Sequence, residues 1–303
     1  MLATLTRSTA TAVLCCLAFN VSLCLGQDSI EAVTQNLWEG AAPGAAGDEA
    51  KDRPRLIRYA VPKDRSTRVG IVVLPGGGYG GLAMGHEGHD IANWLNKHGI
   101  SAFICDYRHR GKGYGHPAPM LDAQRAIRTV RKNAEAWGVD PTKIGVIGFS
   151  AGGHLSSTVS THFDLGQAEA EDPIDRVSCR PDFAILCYPV IAFDEPFTHR
   201  GSQRNLLGDN PDPELVKKLS NEKSVTKDNP PTFLFHTTDD QAVPVENALV
   251  YYMALRKAGV PAEMHVFEPG RHGVGLAKGM PAVSQWPNHC LDWMRHHGWL
   301  AKQ

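Results

Sequence analysis

The chain has 303 residues, of which 42% are hydrophobic and 21% are charged, and this composition indicates a globular protein with a large buried core. Its formal net charge of -1 provides no strong electrostatic field, which argues against nucleic acid or an anionic membrane surface as a partner.

The first 26 residues have the pattern of a signal peptide. Arg7 precedes the apolar run AVLCCLAFNVSLCLG, which is short and interrupted for a membrane span, and small residues at Cys24 and Gly26 favour cleavage before Gln27. The prediction is therefore a secreted or periplasmic protein. The alternatives are an uncleaved N-terminal anchor and a lipid attached at Cys24, although Leu23 fits a lipidation site poorly.

The rest of the chain divides into an arm and one domain. Residues 27–54 are rich in Ala, Gly and Asp and predict an irregular arm, whereas residues 55–303 alternate between strand and helix patterns. This alternation predicts one doubly wound α/β domain, with a mostly parallel sheet and helices on both faces. The predicted strands are RLIRYAVP, VGIVVLP, SAFICDYR, IGVIG, FAILCYPVI, TFLFHTT and AEMHVFE, and the predicted helices span residues 89–99, 121–137 and 245–258.

The motif G-x-S-x-G occurs where the predicted strand IGVIG ends. Glycines at 148 and 152 flank Ser150, and glycine is the residue that allows neighbouring backbone to pass close to a strained turn. The pattern predicts a nucleophile elbow that presents Ser150. Taken alone, it also suits an ordinary turn between a strand and a helix.

A base and an acid for this serine follow later in the chain. His272 lies in a glycine-rich loop after the last predicted strand, and Asp239 and Asp240 end the strand before it. Either carboxylate could reach the histidine. The chain order serine, aspartate, histidine is that of the α/β-hydrolases.

These stretches resemble α/β-hydrolase serine esterases of the group that includes acetyl xylan esterases and feruloyl-esterase-like (BD-FAE-type) proteins. The resemblance rests on LPGGGYGG, GFSAGGH, SCRPDFAILCYPVI, the segment from PPTFLFHTTDDQAVP to EPGRHGVG, and the leading LWEGAAPGA. It implies an α/β-hydrolase fold and the catalytic residues Ser150, Asp239 and His272, because the family pattern D-D-x-x-V-P uses its first aspartate. Similar proteins are often called xylanases, although glycoside hydrolysis needs a pair of carboxylic acids that this sequence does not display.

Acyl transfer also needs hydrogen-bond donors for the oxyanion. The predicted donors are the backbone N–H groups of Gly77 and Gly78, in the loop LPGGGY, and of Ala151, which follows the nucleophile. Related esterases often have histidine before these glycines, where this chain has Pro75.

No cofactor and no metal are predicted. GGGYGG lacks the spacing of a nucleotide-binding loop, and the segment HEGH at residues 86–89 is not the H-E-x-x-H zinc motif. Among the cysteines after the leader, Cys179 and Cys290 could form a disulfide in an oxidising compartment, and the sequence leaves that open.

The sequence therefore predicts a secreted carboxylesterase that removes short acyl groups, acetyl or feruloyl, from a small molecule or a plant or algal polysaccharide such as xylan. Two alternatives remain. One is a serine peptidase of the prolyl-oligopeptidase type, which shares the hydrolase domain but normally carries an additional propeller domain. The other is a non-catalytic carbohydrate-binding protein on a hydrolase scaffold. The oligomeric state is not indicated by the sequence.

Overall fold

The structure, a computed structural model, describes residues 32–302. The predicted signal peptide and Cys24 lie outside these residues. Within this range, every helix is too short or too polar to cross a lipid bilayer.

A single eight-stranded sheet forms the centre of the described part of the chain. Its strands are Val33–Asn36 (β1), Arg55–Tyr59 (β2), Gly70–Leu74 (β3), Ser101–Asp106 (β4), Ile144–Phe149 (β5), Phe183–Cys187 (β6), Thr232–Thr237 (β7) and Ala262–Phe267 (β8). Their order across the sheet is β1-β2-β4-β3-β5-β6-β7-β8. The pairings of β2 with β1 and β4 are antiparallel and the others are parallel, as the prediction of a mostly parallel sheet requires.

Helices cover both faces of this sheet. The α-helices of the described range are Asp90–Lys97 (α1), Ala118–Lys132 (α2), Ala151–Thr161 (α3), Arg200–Leu207 (α4), Pro213–Lys218 (α5), Glu246–Lys257 (α6) and Trp286–His296 (α7). The central strands are apolar along their whole length because alternate side chains point to the two faces of the sheet, and helices cover both faces. In β3, Ile71 and Val73 pack with α1 and α7, whereas Val72 and Leu74 pack with α2 and α3.

One feature of the fold differs from the sequence-based expectation, and another answers a question that the sequence left open. The arm 27–54 is not irregular throughout, because Val33–Asn36 adds β1 to the sheet edge through pairing with β2. Cys179 and Cys290 are both buried free thiols, so the disulfide considered between them is not formed. The sulfur of Cys179 accepts a hydrogen bond from the N–H of Asp164 at 3.3 Å. Cys290 belongs to α7 and packs in the apolar cluster that this helix shares with the sheet.

Candidate active site

Ser150 occupies a sharp turn between β5 and α3. Its φ of 54° lies in the left-handed region, where a residue with a side chain is strained. The turn leaves no space for side chains on either side. A Cβ on Gly148 would lie 2.1 Å from the carbonyl oxygen of Gly152, and a Cβ on Gly152 would lie 2.0 Å from that of Leu74. Glycine at both positions therefore allows the approach that presents Ser150 at the carboxyl end of β5.

His272 joins Ser150 to a carboxylate. It lies in the loop after β8, with Nε2 2.8 Å from Ser150 Oγ and Nδ1 2.6 Å from Asp240 Oδ2. When Nδ1–H donates to Asp240, the lone pair of Nε2 faces the serine hydroxyl. In this arrangement the imidazole can take the serine proton while the carboxylate stabilises the resulting imidazolium.

The carboxylate at His272 belongs to Asp240, which corrects the prediction of Asp239. Adjacent residues in the turn after β7 point in different directions. The side chain of Asp239 is exposed, and its backbone N–H donates to the carbonyl of Glu268 at 3.2 Å. Asp240 is buried beneath the histidine, and its Oδ1 accepts from the N–H groups of Ala242 and Val243 at 3.0 and 2.9 Å.

A second imidazole contributes to the electrostatics of Asp240. Nε2 of His236, a buried residue of β7, lies 2.9 Å from the carbonyl oxygen of Val243 and 3.5 Å from Asp240 Oδ2. Burial by itself would raise the pKa of Asp240. The imidazoles of His236 and His272 and the N–H of Val243 outweigh that effect and hold the pKa well below its usual range. Asp240 is therefore ionised at every pH at which a histidine can act as a base.

The backbone carbonyl oxygens of the loop after β3 accept hydrogen bonds from other groups of the protein. Because a peptide unit is planar and trans, an N–H points away from the carbonyl that precedes it. Each hydrogen bond to a carbonyl in this loop therefore directs the N–H of the next residue away from that bond. The N–H groups concerned are those of Gly77, Gly78 and Tyr79. The donors are the N–H of Ala83 to Gly76 at 2.8 Å, those of Gly80 and Gly81 to Gly77 at 3.0 and 3.2 Å, and the Asn205 amide to Gly78 at 2.8 Å.

This loop and the start of α3 enclose Ser150. A Cβ on Gly76 would lie 2.9 Å from the Cβ of Ser150. Within residues 32–302, no backbone carbonyl accepts from the N–H of Gly77 or Gly78, and the N–H of Ala151 lies in the first turn of a helix, where no intrahelical acceptor exists. The three groups are available as donors, and their role at an oxyanion stays a prediction.

The segment HEGH contains a buried acid that the sequence did not reveal. Glu87, the second residue of this segment, is 2% exposed. Its oxygens accept from the N–H of Gly76 and the hydroxyl of Tyr188, both at 2.8 Å, while His89 Nδ1 contacts the hydroxyl of Tyr59 at 2.7 Å. These residues have separate partners and do not converge as metal ligands. His236, Asn205 and Tyr188 were also missed, because no local pattern marks them as part of a site; His236 and Tyr188 lie within stretches that carry the family resemblance, but without a role.

Within the described range, one other group of acids gathers its oxygens within 4.8 Å: Asp194, Glu195 and Glu222. Lys223 lies among them, with Nζ in contact with Asp194 and 3.9 Å from an oxygen of each glutamate. The ammonium group thus makes ion-pair contacts with all three acids.

The fold and the site together define an α/β-hydrolase. The strand order with β2 antiparallel, the serine on a strained turn after β5, and the acid and histidine after β7 and β8 are the features of that class. More narrowly, the chain belongs to the BD-FAE family, whose sequence profile matches residues 59–255. The predicted fold class and family resemblance are thereby confirmed.

Named relatives and a solved structure agree with this membership. The chain is 36% identical over 241 residues to an acetylxylan esterase of Xylanibacter ruminicola, covering 78% of this chain and 47% of the relative. It is 38% identical over 226 residues to endo-1,4-beta-xylanase B of Butyrivibrio fibrisolvens, covering 74% and 35%. It thus spans less than half the length of both. The crystal structure of an acetyl ester-xyloside bifunctional hydrolase from Caldicellulosiruptor lactoaceticus matches with a TM-score of 0.84 and 48% identity, over 89% of this chain and 97% of that one.

Proposed function

We propose that the protein is a serine carboxylesterase that hydrolyses short acyl esters through an acyl-enzyme intermediate. The observation that supports it most directly is the chain of contacts from Ser150 Oγ through His272 to Asp240, at 2.8 and 2.6 Å. A serine hydroxyl is a weak nucleophile by itself and becomes reactive when a positioned imidazole can take its proton. The acetylxylan esterase among the relatives carries the same implication.

In the first half of the reaction, Ser150 Oγ attacks the ester carbonyl carbon as its proton moves to His272 Nε2. The carbonyl oxygen becomes an oxyanion, which the N–H groups of Gly77, Gly78 and Ala151 stabilise; removal of one such donor typically costs about 2.7–4 kcal/mol. The imidazolium then gives its proton to the leaving alcohol as the carbon–oxygen bond breaks, and the acyl group remains on the serine.

In the second half, water replaces the alcohol. His272 Nε2 takes a proton from the water as the water oxygen attacks the acyl carbon and forms a second tetrahedral oxyanion. This oxyanion then returns to a carbonyl as the bond to Ser150 Oγ breaks, and Ser150 Oγ regains the proton from His272. Asp240 retains its negative charge throughout, because its pKa lies well below its usual range. The cycle uses the ester, water, the three side chains and the backbone N–H donors.

For the substrate, we propose acetyl or feruloyl esters on plant or algal polysaccharides such as xylan. Two relatives, named acetylxylan esterase and xylanase, and the similar structure of an acetyl ester-xyloside hydrolase support this choice. Export through the predicted leader at residues 1–26 would bring the enzyme to such a substrate, and localisation outside the cytoplasm is part of the proposal.

Hydrolysis of p-nitrophenyl acetate and of acetylated xylo-oligosaccharides tests this function. We expect wild type to release acetate from both, and Ser150→Ala to lose at least about 10³-fold in kcat because the nucleophile is absent. Ser160→Ala is the matched control, since this buried serine lies in α3, the helix that follows Ser150, and donates only to the carbonyl of Ser156. Equal activity in wild type and Ser150→Ala would contradict the proposal.

The same variants separate the two alternatives. A peptidase would cleave a dipeptide p-nitroanilide with a higher kcat/KM than the acetyl ester. A non-catalytic binding protein would fold and bind xylo-oligosaccharides, but a fluorophosphonate would label neither wild type nor Ser150→Ala. We expect labelling of the wild type alone.

A further inference from the structure

Glu87 is a buried acid beside the proposed active site that the reaction itself does not use. Both of its oxygens accept hydrogen bonds, Oε2 from the N–H of Gly76 and Oε1 from the hydroxyl of Tyr188, each at 2.8 Å. Nε2 of His86 lies 3.6 Å from Oε1. A carboxylate that is 2% exposed would be costly without such donors. These contacts show what holds Glu87 in place and which parts of the chain it joins.

On one side, Glu87 holds the loop that supplies the proposed oxyanion donors. Gly76 precedes Gly77 and Gly78, and it lies against Ser150 so closely that a Cβ on Gly76 would be 2.6 Å from Glu87 Oε2 and 2.9 Å from the Cβ of Ser150. The hydrogen bond from the Gly76 N–H therefore fixes the point at which this loop passes the nucleophile.

On the other side, Glu87 reaches the loop that carries His272. The hydroxyl of Tyr188 donates its proton to Glu87, and its oxygen accepts from the N–H of Gly275 at 2.9 Å, three residues after the histidine. The ring of Tyr188 also packs edge-on against the ring of His272, with centroids 5.1 Å apart. The backbone of this loop and the turn that contains Glu87 are in contact as well, because a Cβ on Gly275 would lie 2.9 Å from the carbonyl oxygen of His86.

We propose that Glu87 is a positioning residue that couples the oxyanion loop to the histidine loop through Tyr188, an inference that rests on the proposed esterase function. Two loops from opposite ends of the chain must hold their groups around one reacting carbon, and a displacement of about 1 Å in such a site can cost about 10²-fold in rate. The continuous path Gly76, Glu87, Tyr188, Gly275 fixes the distance between these loops.

Two acceptor oxygens at residue 87 suit this path, and an amide does not. Both oxygens face donors, whereas Gln would present an NH₂ group to either the Gly76 N–H or the Tyr188 hydroxyl. Since the Tyr188 oxygen already accepts from Gly275, turning its hydroxyl to accept from Gln as well would leave its own proton without an acceptor. Glu87→Gln therefore disturbs the path while it preserves the volume of the side chain.

The activity test compares Glu87→Gln, Tyr188→Phe and the double variant on p-nitrophenyl acetate. We expect Glu87→Gln to lower kcat about 10- to 100-fold with KM within about twofold, because loop geometry and not ground-state binding is lost. Tyr188→Phe keeps the ring at His272 and removes only the link, and the double variant should lose no more than the worse single variant. Glu222→Gln is the control: it is a mostly buried glutamate in the group with Asp194, Glu195 and Lys223.

Hydrogen exchange provides a readout that does not depend on activity. In Glu87→Gln, the amides of Gly76 and Gly275 should both exchange at least about 10-fold faster than in wild type, and in Glu222→Gln neither should change. A kcat for Glu87→Gln within twofold of wild type, single-variant losses that multiply in the double variant, or faster exchange at Gly76 alone would each overturn the inference.

The outcomes also separate this inference from the proposed function. A wild type that is inactive on all esters refutes the esterase function, and the exchange of the two amides still decides the coupling. If Glu87→Gln does not fold, Tyr188→Phe decides it: a lower kcat with an unchanged unfolding midpoint supports the coupling, and an unchanged kcat overturns it.

Discussion

Asp240 receives hydrogen bonds from two backbone N–H groups and from His272, and a second imidazole lies within 3.5 Å. Its neighbour Asp239 is exposed to solvent. Asp239 and Asp240 are adjacent and carry the same side chain, so they differ only in the direction in which that side chain points. A carboxylate that contacts the base can hold its tautomer and stabilise its positive charge, while an exposed one is screened by water.

We therefore predict that Asp240→Asn and Asp239→Asn differ greatly in activity. The asparagine at 240 offers an NH₂ group or a neutral oxygen to His272 Nδ1, which removes the charge and permits the unproductive tautomer, and kcat should fall about 10³- to 10⁴-fold. Asp239→Asn should stay within about twofold of wild type. Steady-state kinetics on p-nitrophenyl acetate, with circular dichroism to verify folding, measures both. A larger loss for Asp239→Asn would refute the assignment of the acid.

The sequence predicted two of the three residues that meet at this site. Ser150 and His272 could be found because a motif and a glycine-rich loop mark them. The choice between the two aspartates could not be made from spacing, because it depends on where β7 ends and on the turn that the N–H groups of Ala242 and Val243 impose on Asp240. Glu87 could not be found because its burial depends on contacts with Tyr188, 101 positions away.

At the scale of elements, the turn from β5 to α3 depends on how closely backbones approach. Helix α3 can begin directly at the strand end because Gly152 lies against the carbonyl oxygen of Leu74 in β3 and Gly153 lies against Pro189. The same approach places the N–H of Ala151 beside the nucleophile. The glycines of the motif are thus required by packing between a helix and a strand as much as by the turn.

Gly152→Ala tests this packing. Its Cβ would lie 2.0 Å from the carbonyl oxygen of Leu74 and 2.6 Å from that of Pro75, so α3 must shift away from the sheet. Overpacking of this kind typically costs about 1–3 kcal/mol, and urea denaturation should show at least that loss in the free energy of unfolding. Gly40→Ala is the control, because its Cβ would meet nothing within 4 Å. An equal stability of the two variants would argue against the close approach.

Helices and strands whose apolar residues recur at a regular spacing were mostly predicted more completely than those without such a pattern. The strands β2–β8 and the helices α1, α2 and α6 form where the sequence indicated them, although α2 spans Ala118–Lys132 instead of 121–137 and β5 ends one residue later than predicted. No prediction was made for α4, α5 and α7. The first two are short, and α7 buries Trp286, Cys290, Trp293 and Met294 at helical spacing. That last pattern was present in the sequence, whereas the pairing of β1 depends on a partner strand and left no local signal.

At the scale of the whole molecule, His154 couples the site to the stability of the fold. It is fully buried in α3, where Nδ1 lies 2.8 Å from the hydroxyl of Tyr79 in the oxyanion loop and Nε2 lies 2.8 Å from the carbonyl oxygen of Leu219. The carbonyl requires a proton on Nε2, so Nδ1 accepts from Tyr79 and the ring is neutral. Burial lowers the pKa of His154 from 6.5 to about 3, against a smaller opposite effect of the hydrogen bond to Leu219.

This low pKa makes stability depend on pH in a definite direction. Below pH 6.5 the unfolded chain binds a proton at His154, and the folded protein does not bind it until the pH approaches about 3. Since the unfolded state holds more protons in this window, the free energy of unfolding decreases as the pH falls, by up to about 1.4 kcal/mol per pH unit from this group. Other histidines with lowered pKa values, such as His116, act in the same direction.

We predict that His154→Gln flattens this dependence. Glutamine can still donate to the carbonyl of Leu219, and it removes the titration, so between about pH 6 and 4.5 the slope should decrease by about 1.4 kcal/mol per pH unit relative to wild type. Urea denaturation at several pH values measures the slope, which is independent of any constant destabilisation by the substitution. Gly40→Ala provides the control and should retain the wild-type slope, since it removes no titratable side chain and its Cβ would meet nothing within 4 Å. Identical slopes for wild type and His154→Gln would mean that the buried ring already carries a proton, in which case the hydrogen bond from Tyr79 to Nδ1 would have to be reversed.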